Sequence, residues 1–250
     1  EVILEIAEAV INYRGKAGTH PKDGWGARGK QAILEKLASI DGVYVPSFFD
    51  VRYNSDGTIN SIEPLHKNYN KVKKRIVCDL NECPLPTKPV VPFTKTVHDR
   101  LTVEITRGCT RGCRFCQAGI IYRPTRERSP ENILKMVDEA LKNTGYDEVS
   151  LLSLSSGDYS CINDLMLNLM NKLCEKKVAV SLPSLRVGTL TPELVNEIKK
   201  VRKTGFTLAP EAGTDRLRNV INKVIKEDDL IKTAKNIFEM GWRSIKLYFM

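Results

Sequence analysis

From Leu101 to Phe249, short apolar runs alternate with amphipathic stretches, and this alternation restricts the fold more than any other feature of the chain. Leu101–Ile105, Glu148–Leu154, Val178–Leu182, Gly205–Leu208 and Ser244–Phe249 have the length and composition of strands. Pro130–Lys142, Asn163–Cys174, Pro192–Val201, Asp215–Asn222 and Glu227–Met240 read as helices. Ser129 and Thr191 stand as N-caps, each followed by a proline at the first helical position, where the missing N–H costs nothing. Strands that alternate with helices pair in parallel through right-handed crossovers. The expected fold is α/β, a partial (β/α) barrel of the TIM type that reaches the fifth strand at the end of the chain.

The first 95 residues read differently. Val2–Tyr13 and Ala27–Ile40 carry apolar residues at helical spacing, with a turn at Gly24 and Gly26 between them. Phe48–Tyr53 and Thr58–Ile62 flank Asn54-Ser55-Asp56-Gly57, a hairpin signal. Four prolines between Cys83 and Pro92 predict an extended linker. This places an accessory α+β region at 1–95 and the α/β core at 96–250. The chain opens at Glu1 without a methionine and stops at Met250 within an apolar run, which reads as a fragment.

No apolar stretch approaches the roughly eighteen residues that cross a bilayer, and Glu1–Val10 is acidic and amphipathic, unlike a signal sequence. A soluble, cytoplasmic protein with no membrane partner is expected. Lys and Arg number 39 against 30 Asp and Glu, a formal charge of +9 that permits binding to a phosphate-rich partner such as RNA. Seven cysteines at uneven spacings read as reduced thiols and metal ligands, not as a disulfide scaffold.

Three of these cysteines form Cys109-Thr-Arg-Gly-Cys113-Arg-Phe-Cys116, directly after the first core strand. Three thiolates at this spacing can hold three corners of a cubane [4Fe-4S] cluster and leave the fourth iron open. A structural zinc site instead needs four closed ligands, with Cys78, Cys83, Cys161, Cys174 or His98 as candidates for the fourth. Gly108 and Gly112 let the loop bend, Phe115 can shield a cluster from water, and Arg107, Arg111 and Arg114 add positive charge. Parallel α/β folds place their sites at the C-terminal ends of strands. Ser155–Asp158, Pro183–Arg186 and Ala209–Gly213 end the next three strands, so four loops are expected to face one mouth.

The CxxxCxxC form, with an aromatic before its last cysteine, resembles the hallmark of the radical S-adenosylmethionine (SAM) superfamily. The resemblance implies that Cys109, Cys113 and Cys116 bind a [4Fe-4S] cluster whose open iron takes the amino and carboxylate groups of SAM. One electron then cleaves the sulfonium to give a 5′-deoxyadenosyl radical, with an electron donor such as flavodoxin or ferredoxin. Ser156, Gly157 and Asp158 stand where the family's Gly-Gly-Glu segment receives the methionyl amino group, with Ser for the first Gly and Asp for Glu. Ser184 and Arg186 resemble the polar pair that meets the ribose or carboxylate, Glu211 lies where relatives contact the ribose, and Gln117 is placed to meet adenine through its backbone. The bland reading of Arg186 and Glu211 is a barrel-mouth ion pair.

Gly42-Val-Tyr-Val-Pro46, Thr102-Val-Glu-Ile-Thr106 and Ala209-Pro-Glu-Ala-Gly-Thr-Asp215 resemble radical SAM proteins that carry a B12-binding domain upstream. More distantly, the core resembles RNA methylthiotransferases. No Asp-x-His-x-x-Gly motif occurs, so cobalamin would bind only through a domain outside this chain. The implied reaction is reductive SAM cleavage, serving methyl or methylthio transfer to RNA or modification of a metabolite. The competing reading is a non-catalytic, basic nucleic-acid-binding module with a closed metal site. His20, His66 and His98 have no mutual ligand spacing, and Trp25, Trp242, Cys161 and Cys174 read as packing residues.

Overall fold

Apolar residues at helical spacing form α1 (Val2–Ala17) and α2 (Ala27–Ala38), which bury Ala9 and Ile33. The structure is a computed structural model and describes residues 2–17 and 27–250. The Gly24 and Gly26 turn, His20 and Trp25 lie outside the described residues. Strands β1 (Phe49–Tyr53) and β2 (Ile59–Pro64) pair antiparallel, from Phe49 opposite Pro64 to Tyr53 opposite Ile59. The turn between them closes as its sequence dictates, with Gly57 at φ +81° and the Asn54 N–H on the Thr58 carbonyl at 2.8 Å. Phe48 is buried against His66, ring centroids 4.0 Å apart, which gives that histidine a packing role. These elements belong to one compact unit, residues 1–76.

A second compact unit comprises residues 77–250. Its strands are β3 (Leu101–Glu104), the short pair β4 (Thr106–Arg107) and β5 (Arg126–Glu127), then β6 (Glu148–Leu152), β7 (Ala179–Ser181), β8 (Phe206–Glu211) and β9 (Ile245–Phe249). Its helices are α3 (Ala118–Ile121), α4 (Pro130–Thr144), α5 (Ile162–Leu173), α6 (Pro192–Lys199), α7 (Asp215–Val220) and α8 (Glu227–Glu239). β3, β6 and β7 form a parallel sheet, with Val103 opposite Leu151 and Val149 opposite Val180. The ladder stops at β7 and resumes at β8, which pairs in parallel with β9. The unit is thus a partial (β/α) barrel in which each parallel strand before β9 leads on to a helix.

Ser129 and Thr191 cap as expected, their hydroxyls accepting from Asn132 and Leu194 N–H groups at 3.3 and 3.2 Å. α4 buries Ile133, Val137 and Ala140, one stripe at helical spacing, and Gly145 ends the helix at φ +70°. α5 is apolar over a wider face, with Leu165, Met166, Leu169, Met170 and Leu173 fully buried, because it packs against both α4 and α6. Each such side chain contributes about 1.5–3 kcal/mol of burial. Trp242 packs on Phe206 with centroids 5.0 Å apart, as its packing role required.

The boundary between the units falls at Ile76 and Val77, whereas the prolines suggested one near residue 95. The proline segment is extended, yet it is tied to the core through groups that proline does not remove. Leu80 and Cys83 are buried, the Asn81 side chain accepts from the Ser129 N–H at 2.9 Å, and the Arg128 guanidinium donates to the Cys83 carbonyl at 3.0 Å. Among the described residues, no helix is long and apolar enough to cross a membrane.

Candidate active site at the barrel mouth

The cysteine loop leaves the barrel and returns through a two-residue hairpin. β4 pairs antiparallel with β5, Thr106 opposite Glu127 and Arg107 opposite Arg126, so residues 108–125 form an excursion closed at its base. Gly108 begins it at φ +93°, where a Cβ would lie 2.6 Å from the Tyr122 carbonyl oxygen and 2.9 Å from that of Pro124. Only glycine fits there. Arg126 laces the return, donating to the carbonyls of Pro124, Tyr122 and Val77 at 2.9–3.0 Å.

Cys109, Cys113 and Cys116 are free thiols, each partly exposed. The Arg111 N–H points at Cys109 Sγ at 3.5 Å and the Gly119 N–H at Cys116 Sγ at 3.3 Å, donors of the kind that stabilise thiolate charge. Among the described residues, no three His, Cys, Asp or Glu side chains gather to hold a single metal ion, as a closed zinc site requires. A cubane places a different demand on its ligands, since each thiolate takes its own iron. The soft donor set and its N–H groups fit a [4Fe-4S] cluster.

Three of the four expected loops join the segment after α7 in a ring of four contacts, and the fourth, Ala209–Gly213, is tied to that segment through Glu211 and Lys223. Arg111 binds both carboxylate oxygens of Asp158, joining the cysteine loop to the loop after β6. The Ser156 N–H donates to the Ser184 carbonyl at 2.8 Å, joining that loop to the one after β7. Arg186 donates to the Val224 carbonyl at 2.9 Å, reaching the segment after α7. The Asn222 amide donates to the Gly112 carbonyl at 2.8 Å and returns to the cysteine loop.

Within this ring each candidate residue has a definite place. Asp158 accepts from Arg111 and Ser155; the Arg111 hydrogen bond, against partial burial, holds its carboxyl below the usual carboxylate range. Ser156 is fully buried and turns its hydroxyl to Ser153 Oγ and the Leu151 carbonyl, while its N–H takes the Ser184 carbonyl. At Gly157 a Cβ would meet the Thr189 hydroxyl, which lets the two loops approach. Ser184 is half-buried, and Gln117 is exposed as the residue before α3. Phe115 is exposed, with Lys223 Nζ 5.8 Å from its ring centroid.

Several charges find partners other than those the residue pattern suggested. Arg186 and Glu211 do not form the mouth ion pair: Glu211 takes Lys223 at 2.7 Å, both side chains largely buried. β8 runs on through Ala209 and Pro210 to Glu211, where a register shift and φ +70° turn the chain out of the strand, so these residues are not a free loop. Arg107 forks onto the Glu104 carboxylate at 2.7–2.8 Å. Lys223 and Asn222 escaped the sequence reading, as did buried Arg218, which holds the carbonyls of Ala212 and Ile225 at 2.8 and 2.7 Å. Only the density of basic residues after Thr214 hinted at them.

Residues 103–250 match the sequence profile of the Radical SAM superfamily. The chain is 40% identical over 148 residues to the uncharacterized protein MJ0966 of Methanocaldococcus jannaschii, covering 59% of this chain and 32% of that one. It is 32% identical over 174 residues to the tRNA-2-methylthio-N(6)-dimethylallyladenosine synthase of Moorella thermoacetica, covering 66% and 37%. The match thus spans about a third of these relatives' length. Among solved structures, the cobalamin-dependent S-adenosylmethionine radical enzyme OxsB superposes at a TM-score of 0.45 with 16% identity, over 90% of this chain and 31% of that one. Since the matched profile covers more than half of the chain and contains all three cysteines of the loop, the chain belongs to the radical SAM superfamily, whose cofactors are a [4Fe-4S] cluster and S-adenosylmethionine.

Proposed function

We propose that this chain is the SAM-cleaving core of a radical enzyme, with Cys109, Cys113 and Cys116 as cluster ligands. The observation that carries the reading is the closed excursion 108–125: three free thiols at a strand end, two with N–H donors, in a loop tied to the one after β6 through Arg111 and Asp158. With the cluster bound, the chemistry supplied is one-electron reduction of the SAM sulfonium, giving methionine and a 5′-deoxyadenosyl radical.

The chain's own residues bind and orient. The backbone of Ser156 and Gly157 and the Asp158 carboxylate seat the methionyl amino group, with Arg111 giving up its hold on Asp158 as that ammonium arrives. Ser184, Arg186 and Glu211 meet the ribose and carboxylate. The Gln117 backbone meets adenine, and Phe115 keeps water from the thiolates.

The acceptor is the finer part of the proposal: methyl or methylthio transfer to RNA. The net charge of +9 and the tRNA-modifying relative favour it over a small metabolite. Cobalamin, where it is used, enters through a domain outside these residues. Seven free thiols suit a reducing compartment such as the cytoplasm.

Anaerobic reconstitution of the intact protein tests the core claim. It should yield cluster absorbance in the parent and in Cys78→Ala but not in Cys109→Ala, and dithionite with SAM should yield 5′-deoxyadenosine. A cluster that leaves SAM intact, or zinc retained by Cys109→Ala, would refute it. Mass spectrometry of bulk tRNA after turnover tests the acceptor.

A further inference from the structure

Between Glu63 and Asp79 the chain carries five lysines and arginines and no acidic residue. Lys67, Lys71, Lys73, Lys74 and Arg75 are all exposed, and residues 71–77 form neither helix nor strand. Contacts within the first compact unit fix this segment in place. The Tyr69 hydroxyl donates to the Val43 carbonyl and accepts from the Val45 N–H at 3.0 Å. A Cβ on Gly42 would lie 2.8 Å from Arg75 Cβ, so the end of the segment rests against the turn that follows α2. Segment and turn enclose a cleft of about 490 Å³, whose walls include Asp41, Val43, Asn68, Lys71 and Lys73. Arg75 is paired with Glu5, but Lys67, Lys71 and Lys73 make no ion pair or hydrogen bond, and Asp41 is the one acid in the walls. Like charges gathered without partners raise the local potential, which a bound polyanion relieves. Beside Val43, Tyr44 is half exposed while its ring stacks on Phe49, centroids 5.1 Å apart, and Phe49 meets Tyr69 at 5.4 Å.

We infer that this cleft binds single-stranded RNA, with Lys67, Lys71 and Lys73 on phosphates and Tyr44 stacked on a base. The inference rests on the RNA reading of the acceptor above, and it adds an anchor for the strand within residues 1–76. A groove of cations beside an aromatic ring is what sequence-tolerant binding of single strands requires. The Asn68 amide offers both a donor and an acceptor to sugar and phosphate oxygens. An anionic membrane fits this site less well, because a bilayer surface is flat and touches only the rim of a cleft. An acidic protein segment would use the lysines but leave the Tyr44 ring without a flat partner.

The test uses the intact protein, with and without iron, and a fluorescein-labelled oligouridine of about twelve nucleotides, read by anisotropy. Lys71→Ala/Lys73→Ala should weaken binding about tenfold or more in dilute salt. It should also flatten the slope of log affinity against log salt by about 1.4, since each phosphate neutralised on a single strand contributes about 0.7. Lys71→Arg/Lys73→Arg should bind as the parent does. Tyr44→Ala should weaken binding about tenfold with the slope unchanged, and Tyr44→Phe should not. Lys142→Ala/Lys199→Ala removes two other exposed lysines that have no partner and should leave binding intact. The inference is overturned if the parent leaves the oligonucleotide unbound, if Lys71→Ala/Lys73→Ala binds as tightly as the parent, or if Lys142→Ala/Lys199→Ala loses as much. Preference of the parent for phosphatidylserine vesicles or polyglutamate over the oligonucleotide would overturn it too. Binding is read without turnover, whereas mass spectrometry of tRNA judges the acceptor, so the two readings fail separately.

Discussion

Arg111 and Asp158, 47 residues apart, meet in a two-point ion pair, with Arg111 Nε donating to Asp158 Oδ2 at 2.8 Å. The carboxylate expected to receive the SAM amino group therefore already holds a cation from the cysteine loop. An arriving ammonium replaces one positive partner with another, which lowers the desolvation cost of seating it. Asp158→Asn should leave cluster absorbance unchanged and raise the SAM concentration for half-maximal 5′-deoxyadenosine formation about tenfold or more. Unaltered SAM affinity in this variant would remove Asp158 from the site.

Gly108 has backbone, not flexible side chains, where a Cβ would go. Gly108→Ala should cost about 2–4 kcal/mol through its positive φ and the clash with the Tyr122 and Pro124 carbonyls. Thermal unfolding and iron content should fall together. Gly145→Ala, equally left-handed but with open space around it, serves as the comparison and should cost only about 1 kcal/mol while keeping the iron.

Glu211 and Lys223 are both largely buried, and neither carries its charge cheaply without the other. Lys223→Met should destabilise the protein by about 2–4 kcal/mol, and adding Glu211→Gln should recover part of that loss. A double variant no more stable than Lys223→Met would show that the pair is not coupled.

Glu148 anchors the start of β6 between Arg100 at 3.1 Å and Arg202. Burial acts to raise its pKa, but the hydrogen bonds and charge of the Arg100 and Arg202 guanidinium groups work against it, and the net shift is downward. A depressed carboxyl contributes stability that is complete above its ordinary value and is lost as pH falls through the lowered one. Denaturant midpoints should decline below about pH 4.5, and Glu148→Gln should flatten that decline while costing about 1–2 kcal/mol at neutral pH.

The parts of this fold legible in the sequence are those set by local rules. Ser129-Pro130 and Thr191-Pro192 announce helix starts, and the three closely spaced cysteines fall, as read, in a loop at a strand end. What stayed hidden depends on contacts between distant residues. β4 and β5 are two residues each, too short for any periodicity to reveal, yet they close the loop that carries the thiols. Pro210 reads as a strand breaker, but β8 accommodates it by shifting register before Glu211. Arg111, Arg107 and Arg114 looked alike as loop cations; only the fold assigns them a carboxylate at Asp158, one at Glu104 and a carbonyl at Val220.

Arg128 is almost wholly buried, and its guanidinium is satisfied by the Glu104 carbonyl at 3.1 Å, the Asn132 side chain and the Cys83 carbonyl. One of those acceptors comes from the proline segment, which fixes where the chain can be cut. A shortened protein that starts at Val77 keeps every acceptor, whereas one that starts at residue 96 takes the Cys83 carbonyl from a buried cation and the Asn81 acceptor from the Ser129 N–H at the start of α4. The shorter piece should appear in inclusion bodies and the longer one in the supernatant.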